Sequence, residues 1–542
     1  MKNKVKMAVL ATVLAQACFA LPAQADTVIS AHGKDMFQVH YFDKGQGTAF
    51  YTAVGEKTDL ESVYTLTDSM KEGLDKGVGY WADILASGSN NTKPLQVVVK
   101  TNDDRNADAT FYSNNDANNY IKMGIQNGYE LGYVNPDTGD GIREKDPITA
   151  VIAIRIGQNI GIDKGDGQYG FYADGEYALA NNDAQVDIVP IMRHEIAHAL
   201  GISADLQYVR DKKPLSGDKI IFYQFGDETK EDTSWSAHLV DQYGTKAQAG
   251  MVIMTTNEFE AQQAADPSLK RSDFFIVDLT ENEAVPSSGK LFFVGDNVSQ
   301  VLNGATFYGV DGIPINAWEP GDYGYNNPEF SHIELDRSLM SHQNYRSYTN
   351  FMEAELAVFQ DMGYEIDRRN YYGYSVYGSD LTLTNANGYS ARNAEGTAYL
   401  ENVYNITPLG VGLHVYGSYN DITQTGKVLT AGTGAVGIRV DGTGNTVTVA
   451  EGTAIHSDGK NGIGILTAYG KDQSIVQYGT VTANGENGNG IQFDFGTNSM
   501  VPAATEDGED RGSFFSYNDG KNVVGEDFEA LELNGPMGNY TL

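Results

Sequence analysis

Between Leu60 and Leu85, apolar residues recur at three- and four-residue steps. Val63, Leu66, Met70, Leu74, Val78, Trp81 and Leu85 therefore share one face of a helix. Pro94 to Val99 reads as a buried strand, and Ala150 to Ile156 as another. Asp187 to Leu200 is helical, with Asp187 at its start and Gly201 just past its end. Thr349 to Gly363 forms a further helix. Asn350 and Glu353 are spaced as a capping box, Phe351, Leu356, Phe359 and Met362 are its apolar positions, and Gly363 is its stop. This alternation predicts an α+β unit over residues 26–375.

Near residue 375 the pattern changes to Gly-, Thr-, Val- and Asn-rich sequence with few basic residues. Gly412-Leu413, Gly437-Ile438, Gly464-Ile465 and Gly490-Ile491 open short apolar strands at steps of 25, 27 and 26 residues. Each is followed by a turn and a second β-branched strand such as Thr446 to Val449. One such period per coil predicts an all-β, right-handed parallel β-helix over residues 376–500. A Gly-rich antiparallel β domain is the other reading of the same pattern. There is no Gly-Gly-x-Gly-x-Asp repeat, so a calcium-binding β-roll is not expected. Residues 501–542 are acidic and non-periodic and read as a linker.

Composition adds the compartment. Lys2, Lys4 and Lys6 precede an apolar run from Met7 to Leu21, which ends in Ala23-Gln24-Ala25. This is the pattern of a secretory signal peptide over residues 1–25, and the run is short for a membrane span of ~20 residues. The only cysteine, Cys18, lies inside it, so the exported chain would rely on its core and sheets rather than on disulfides. No transmembrane helix is expected in the mature chain. The formal charge is −35, or −38 without those three lysines, which repels phosphate and argues against nucleic acid.

The chemistry concentrates in Arg193-His194-Glu195-Ile196-Ala197-His198-Ala199-Leu200-Gly201. Histidines at i and i+4 on one helix face can both offer a nitrogen to a single zinc ion. Glu195, one residue along, sits beside the metal, where it can take a proton from an activated water and pass it to a leaving amine. A third protein ligand is needed. The short form of the motif would place it at position 204, which is Ala204. Asp205 lies one residue off register, and His332, eight residues before Met340, is the distant candidate. Asp163, Asp166 and Asp174 could bind calcium or form an ordinary acidic turn. His238 reads as a packing residue beside Trp235, and His342 as a solvated one.

Several segments together resemble the leishmanolysin-like branch of the metzincin metallopeptidases. They are His194 to Gly201, the long insertion 203–331, Ser331-His332 and Leu339-Met340-Ser341. Phe292 to Val298, Gly312 to Ile315 and Glu355 to Tyr364 resemble further stretches of that family, so the likeness covers roughly residues 60–370. It implies a metzincin-like catalytic domain with His194, His198 and His332 as zinc ligands, Glu195 as the base and Met340 as the turn methionine beneath the metal. The family's cysteines are missing here. The repeats resemble the β-helix passenger stalk of autotransporters, whose terminal β-barrel is not recognisable after residue 500. The expectation is an exported zinc endopeptidase at the surface of a Gram-negative-type cell, or released from it, acting on protein or peptide substrates. The competing class is a surface adhesin or structural passenger with an inactive protease-like head.

Overall fold

The computed structural model describes residues 13–14, 27–52, 57–89, 94–103, 107–113, 150–157, 171–172, 186–210, 212–279, 291–320, 324–335, 338–341, 350–468, 470, 472–494 and 538–541. Of the expected signal segment only Val13–Leu14 is described, as a short strand antiparallel to Gly47–Thr52.

The N-terminal region is mixed α/β. Strands β1 (Thr27–Ala31), β2 (Lys34–Tyr41), β3 (Leu95–Asn102), β4 (Ala107–Ser113) and β5 (Ala150–Gly157) form one sheet in the order β1-β2-β3-β5-β4. The three inner strands are parallel and the two edges antiparallel. Phe37, Val39, Val97, Val99, Ile152 and Ile154 are fully buried, which is why these β-branched and aromatic runs behave as central strands. The strand over residues 34–41 therefore lies inside the central sheet, with Met36, Phe37, Val39 and Tyr41 buried.

Helices α1 (Asp68–Ala86) and α2 (Ile188–Ala199) pack together in that core. Gly77 permits the approach, since a Cβ there would lie 2.7 Å from Cβ of Met192. The indole of Trp81 donates to the Arg193 carbonyl at 2.9 Å and meets Phe351 and Phe359 edge-on. α1 starts later than the apolar spacing implied. Thr67 caps it by accepting the Met70 N–H at 3.2 Å, while the amides of Val63 and Tyr64 bond to Thr101, so this stretch is extended and Val63 is exposed.

Between Ile202 and His332 the described residues include two small sheets and a two-stranded pair, Trp318–Pro320 with Asn326–Pro328. One contains Leu206–Tyr208, Tyr223–Phe225, Val252–Met254 and Phe274–Ile276, and the other Leu239–Asp241, Leu291–Phe293 and Ile313–Pro314. Helices α3 (Thr256–Ala265) and α4 (Asp296–Leu302) lie between these strands in the chain. α5 (Glu353–Asp361) then closes the region. Its cap lies further on than Asn350/Glu353. Glu355 accepts the Met352 N–H at 2.7 Å, while the Asn350 side-chain oxygen Oδ1 is already taken by Arg193, Tyr80 and the Phe351 amide.

From Tyr372 the strands stack in parallel. Tyr372–Val376, Val411–Val415, Val436–Val440, Ile463–Ala468 and Asn489–Asp494 form one five-stranded sheet, in which Leu413, Ile438, Ile465 and Ile491 are in register. A second sheet runs through Thr382–Asn385, Asp421–Gln424, Thr446–Val449 and Gln473–Gln477, and a third through Val428–Thr430, Ala454–Ser457 and Thr480–Thr482. All are parallel, which excludes the antiparallel alternative for these strands. Glycine recurs at the strand starts because neighbouring strands touch there: a Cβ on Gly412 or Gly437 would sit 2.5 or 2.4 Å from the next glycine's carbonyl oxygen. Buried amides bridge successive turns, with Asn420 N–H donating to Asn445 Oδ1 and Asn445 N–H to Gln473 Oε1. Within the expected linker, Gly538–Thr541 is a strand that joins the second sheet beside Gln473–Gln477.

The two regions share a core. Tyr371, Tyr372, Tyr377, Val411, Val436 and Leu466 belong to the same buried cluster as Trp81 and Phe351. The Tyr372 hydroxyl donates to the Phe351 carbonyl, and the Ala354 N–H donates to the Tyr377 hydroxyl.

Candidate metal centre

Helix α2 carries His194 and His198 on one face, and its C-terminal stop aims the second of them. Gly201 adopts φ +123°, a backbone conformation open to glycine. Its N–H donates to the His198 carbonyl and the Ile202 N–H donates to the Ala197 carbonyl, a paired bonding that ends a helix with a left-handed residue. The reversal turns the Ile202 carbonyl towards His198, whose Nδ1 lies 2.7 Å from it. Tyr364, a fully buried phenol whose ionisation burial pushes up, donates to the Leu200 carbonyl at 2.6 Å and holds the same turn.

The same turn reaches the distant histidine. The Ala204 N–H donates to Ser331 Oγ at 3.2 Å, so the position where the short motif would hold a ligand is tied instead to the residue before His332. Asp205 turns away. Its Oδ2 accepts the Glu228 N–H at 2.8 Å, its own amide bonds Ser236 Oγ, and it is not among the ligand-bearing groups that converge. The alternative third ligand, Asp205, has its carboxylate engaged by the insertion's backbone.

Three histidines do converge. The Nε2 atoms of His194 and His198 are 3.0 Å apart, those of His194 and His332 3.2 Å, and those of His198 and His332 3.3 Å. All three side chains are half-buried. Each Nδ1 faces an oxygen: Leu339 O at 2.7 Å for His194, Ile202 O at 2.7 Å for His198, and Glu329 Oε1 at 2.5 Å for His332. An imidazole that donates from Nδ1 presents Nε2 as an acceptor. Three acceptor nitrogens facing one another are brought together favourably by a cation. Two nitrogens at zinc-ligand distance in a tetrahedral site are separated by ~3.3 Å, which the observed edges match. The donor set fits a metal ion.

Two carboxylates that the motif did not disclose support this geometry. Glu329, three residues before His332, also accepts the Ser331 N–H at 3.1 Å through its other oxygen. Nearby, burial first and then the charge of Glu329 push Glu319 up to about 7. Glu355 of α5 is wholly buried and accepts the Met340 N–H at 3.0 Å; burial raises it to about 7, against the pull of the amides it receives. Met340 is itself fully buried, in the turn whose preceding carbonyl takes His194. Glu195 follows His194 on α2 and is 5% exposed. His238 stacks on Phe293 at 4.8 Å and lies against the Val294 carbonyl, a packing position. His342, Asp163, Asp166 and Asp174 lie outside the described residues.

Set against protein-family models, curated proteins and solved structures, the chain matches none. Among the described residues no helix is long and apolar enough to cross a membrane.

Proposed function

We propose that the protein is an exported zinc-dependent endopeptidase of metzincin type, with His194, His198 and His332 holding the metal and Glu195 acting as the base. The observation that carries this reading is the triangle of Nε2 atoms at 3.0–3.3 Å, two of whose corners come from a His-Glu-x-x-His helix. A zinc ion bound by three imidazoles supplies Lewis acidity, polarising a carbonyl oxygen and acidifying water. The chain's own residues do the rest. Glu195 takes the proton of the attacking water on its carboxylate and returns it to the departing amide nitrogen. Glu329, Leu339 O and Ile202 O keep the three rings in the tautomer that offers Nε2.

The stacked parallel sheets support a β-helix stalk that carries this head, and the signal-like N-terminus supports export to the cell surface or medium. Protein or peptide substrates follow from that location and from the reaction class. The test uses the full chain. It should take up about one zinc per chain and cleave a denatured protein such as casein in a chelator-sensitive way. Glu195→Gln should keep the zinc and lose at least ~100-fold in cleavage rate, the usual worth of a general base. Full zinc uptake with cleavage unchanged in Glu195→Gln would exclude this mechanism. A chain that takes up no zinc, is inert and adheres to a matrix protein would favour the adhesin reading.

A further inference from the structure

The dipeptide Leu339-Met340 is bonded on three sides. The Leu339 carbonyl accepts from His194 Nδ1 at 2.7 Å. The Met340 carbonyl accepts the N–H of Ile333, the residue after His332, at 3.0 Å. The Met340 N–H donates to Glu355 Oε1 at 3.0 Å. One short strap thus touches both histidine-bearing segments, and its third tie runs to a carboxylate on a separate helix. Glu355 grips that helix as well, since its Oε2 accepts the Met352 N–H at the start of α5 at 2.7 Å. The carboxylate is wholly buried, and so are the side chains of Met340 and Met352 that flank it. Water therefore has little access to take over its hydrogen bonds, and the strap's position is set by where α5 places Glu355.

We infer that Glu355 is a positioning residue of the metal centre, holding the Leu339-Met340 strap so that the Leu339 carbonyl fixes the ring of His194 while the Met340 carbonyl fixes the segment of His332. It touches neither metal nor substrate. Its effect reaches the ion through the backbone, in the way that groups behind metal-ligating histidines usually tune affinity by 10- to 100-fold. The inference rests on the zinc reading above and deepens it. It also gives α5 a role beyond closing the core: the helix carries the anchor of the strap, and its Ala354 N–H is bonded to Tyr377, beside the first strand of the parallel sheets.

The experiment measures zinc affinity of the full chain by competition with a chromophoric chelator, for wild type, Glu355→Gln, Glu355→Ala and Val99→Ala. Val99 is fully buried in the central sheet, away from the strap, and its variant controls for loss of stability alone. Glutamine keeps one acceptor oxygen and should weaken zinc binding by ~10-fold, and alanine by more. At a matched fall in melting temperature, Val99→Ala should stay within ~2-fold of wild type. The visible spectrum of the cobalt-substituted chain should change in Glu355→Gln and not in Val99→Ala. Should Glu355→Ala fail to fold, the glutamine variant decides. Zinc binding by Glu355→Gln within ~2-fold of wild type, or an equal loss in Val99→Ala, would overturn the positioning role while leaving the zinc site standing. A wild-type chain that binds no zinc would overturn both.

Discussion

Gly201→Ala tests whether the end of helix α2 builds half of the metal centre. At φ +123° an alanine is strained by about 1–3 kcal/mol, the range for side-chain-bearing residues forced into sparsely populated backbone regions. Its Cβ would also lie 2.7 Å from the terminal methyl of Met362. That methyl ends a flexible side chain, so relief by an off-rotamer shift adds about 0.5–1.5 kcal/mol. A total of about 1.5–4.5 kcal/mol should lower the melting temperature of the metal-free chain by roughly 2–4 °C. The second effect is specific to this site. If the Gly201 and Ile202 bonds rearrange, the Ile202 carbonyl leaves His198 Nδ1, and zinc affinity should fall by ~10-fold or more. Thermal unfolding with and without chelator separates the two effects, because zinc raises the melting temperature only in proportion to its binding. Adding Met362→Ala to Gly201→Ala should relieve the steric part and leave the backbone part and the zinc defect. A Gly201→Ala chain with unchanged metal-free melting, or with lowered melting and wild-type zinc affinity, would refute this account of the turn.

The carboxyl of Glu228 is raised to about 8 by burial first, then by Asp205 and Glu231, against 4.5 when unperturbed. The folded chain thus holds a proton that the unfolded chain has lost, so this group's contribution to stability is complete below about 4.5 and disappears as pH rises through about 8. Glu228→Gln should therefore gain melting temperature relative to wild type between pH 5 and pH 8.5, by at most a few kcal/mol of stability, and parallel profiles would contradict it. A chain ended after Ser375 loses Tyr377, Val411, Val436 and Leu466 from the shared core and should bind a hydrophobic dye and lose near-ultraviolet dichroism; native-like spectra would show the head to be independent of the coils.

The site was readable from the sequence to the extent that it depends on local spacing. His194 and His198 face one way because i and i+4 share a helix face, and Gly201 marks the stop because its φ demands glycine. The convergence of His332 across the insertion left no periodic trace. It was approached only through a likeness of segments, and Asp205 competed on sequence distance alone. Two backbone carbonyls that orient the rings, from Leu339 and Ile202, have no residue-type signature at all. Glu329 left a faint one, a carboxylate three residues before a histidine in a non-helical stretch. The start of α1 was misplaced because Val63 and Leu66 continue the apolar spacing while Thr101 and the cap at Thr67 hold that stretch extended. The parallel stacking was clearer, since a repeat of 25–27 residues with glycines at the close contacts leaves few other ways to bury Leu413, Ile438 and Ile465 together.

The central claim is that three histidines from two distant segments hold one metal ion. Zinc content and affinity of the full chain, compared among wild type, His332→Ala and Asp205→Ala, test it most directly. The account predicts about one zinc per wild-type chain, a loss of at least ~100-fold in affinity for His332→Ala, and wild-type affinity for Asp205→Ala in whatever fraction folds. Undiminished zinc binding by His332→Ala, or its loss only in a folded Asp205→Ala chain, would contradict it.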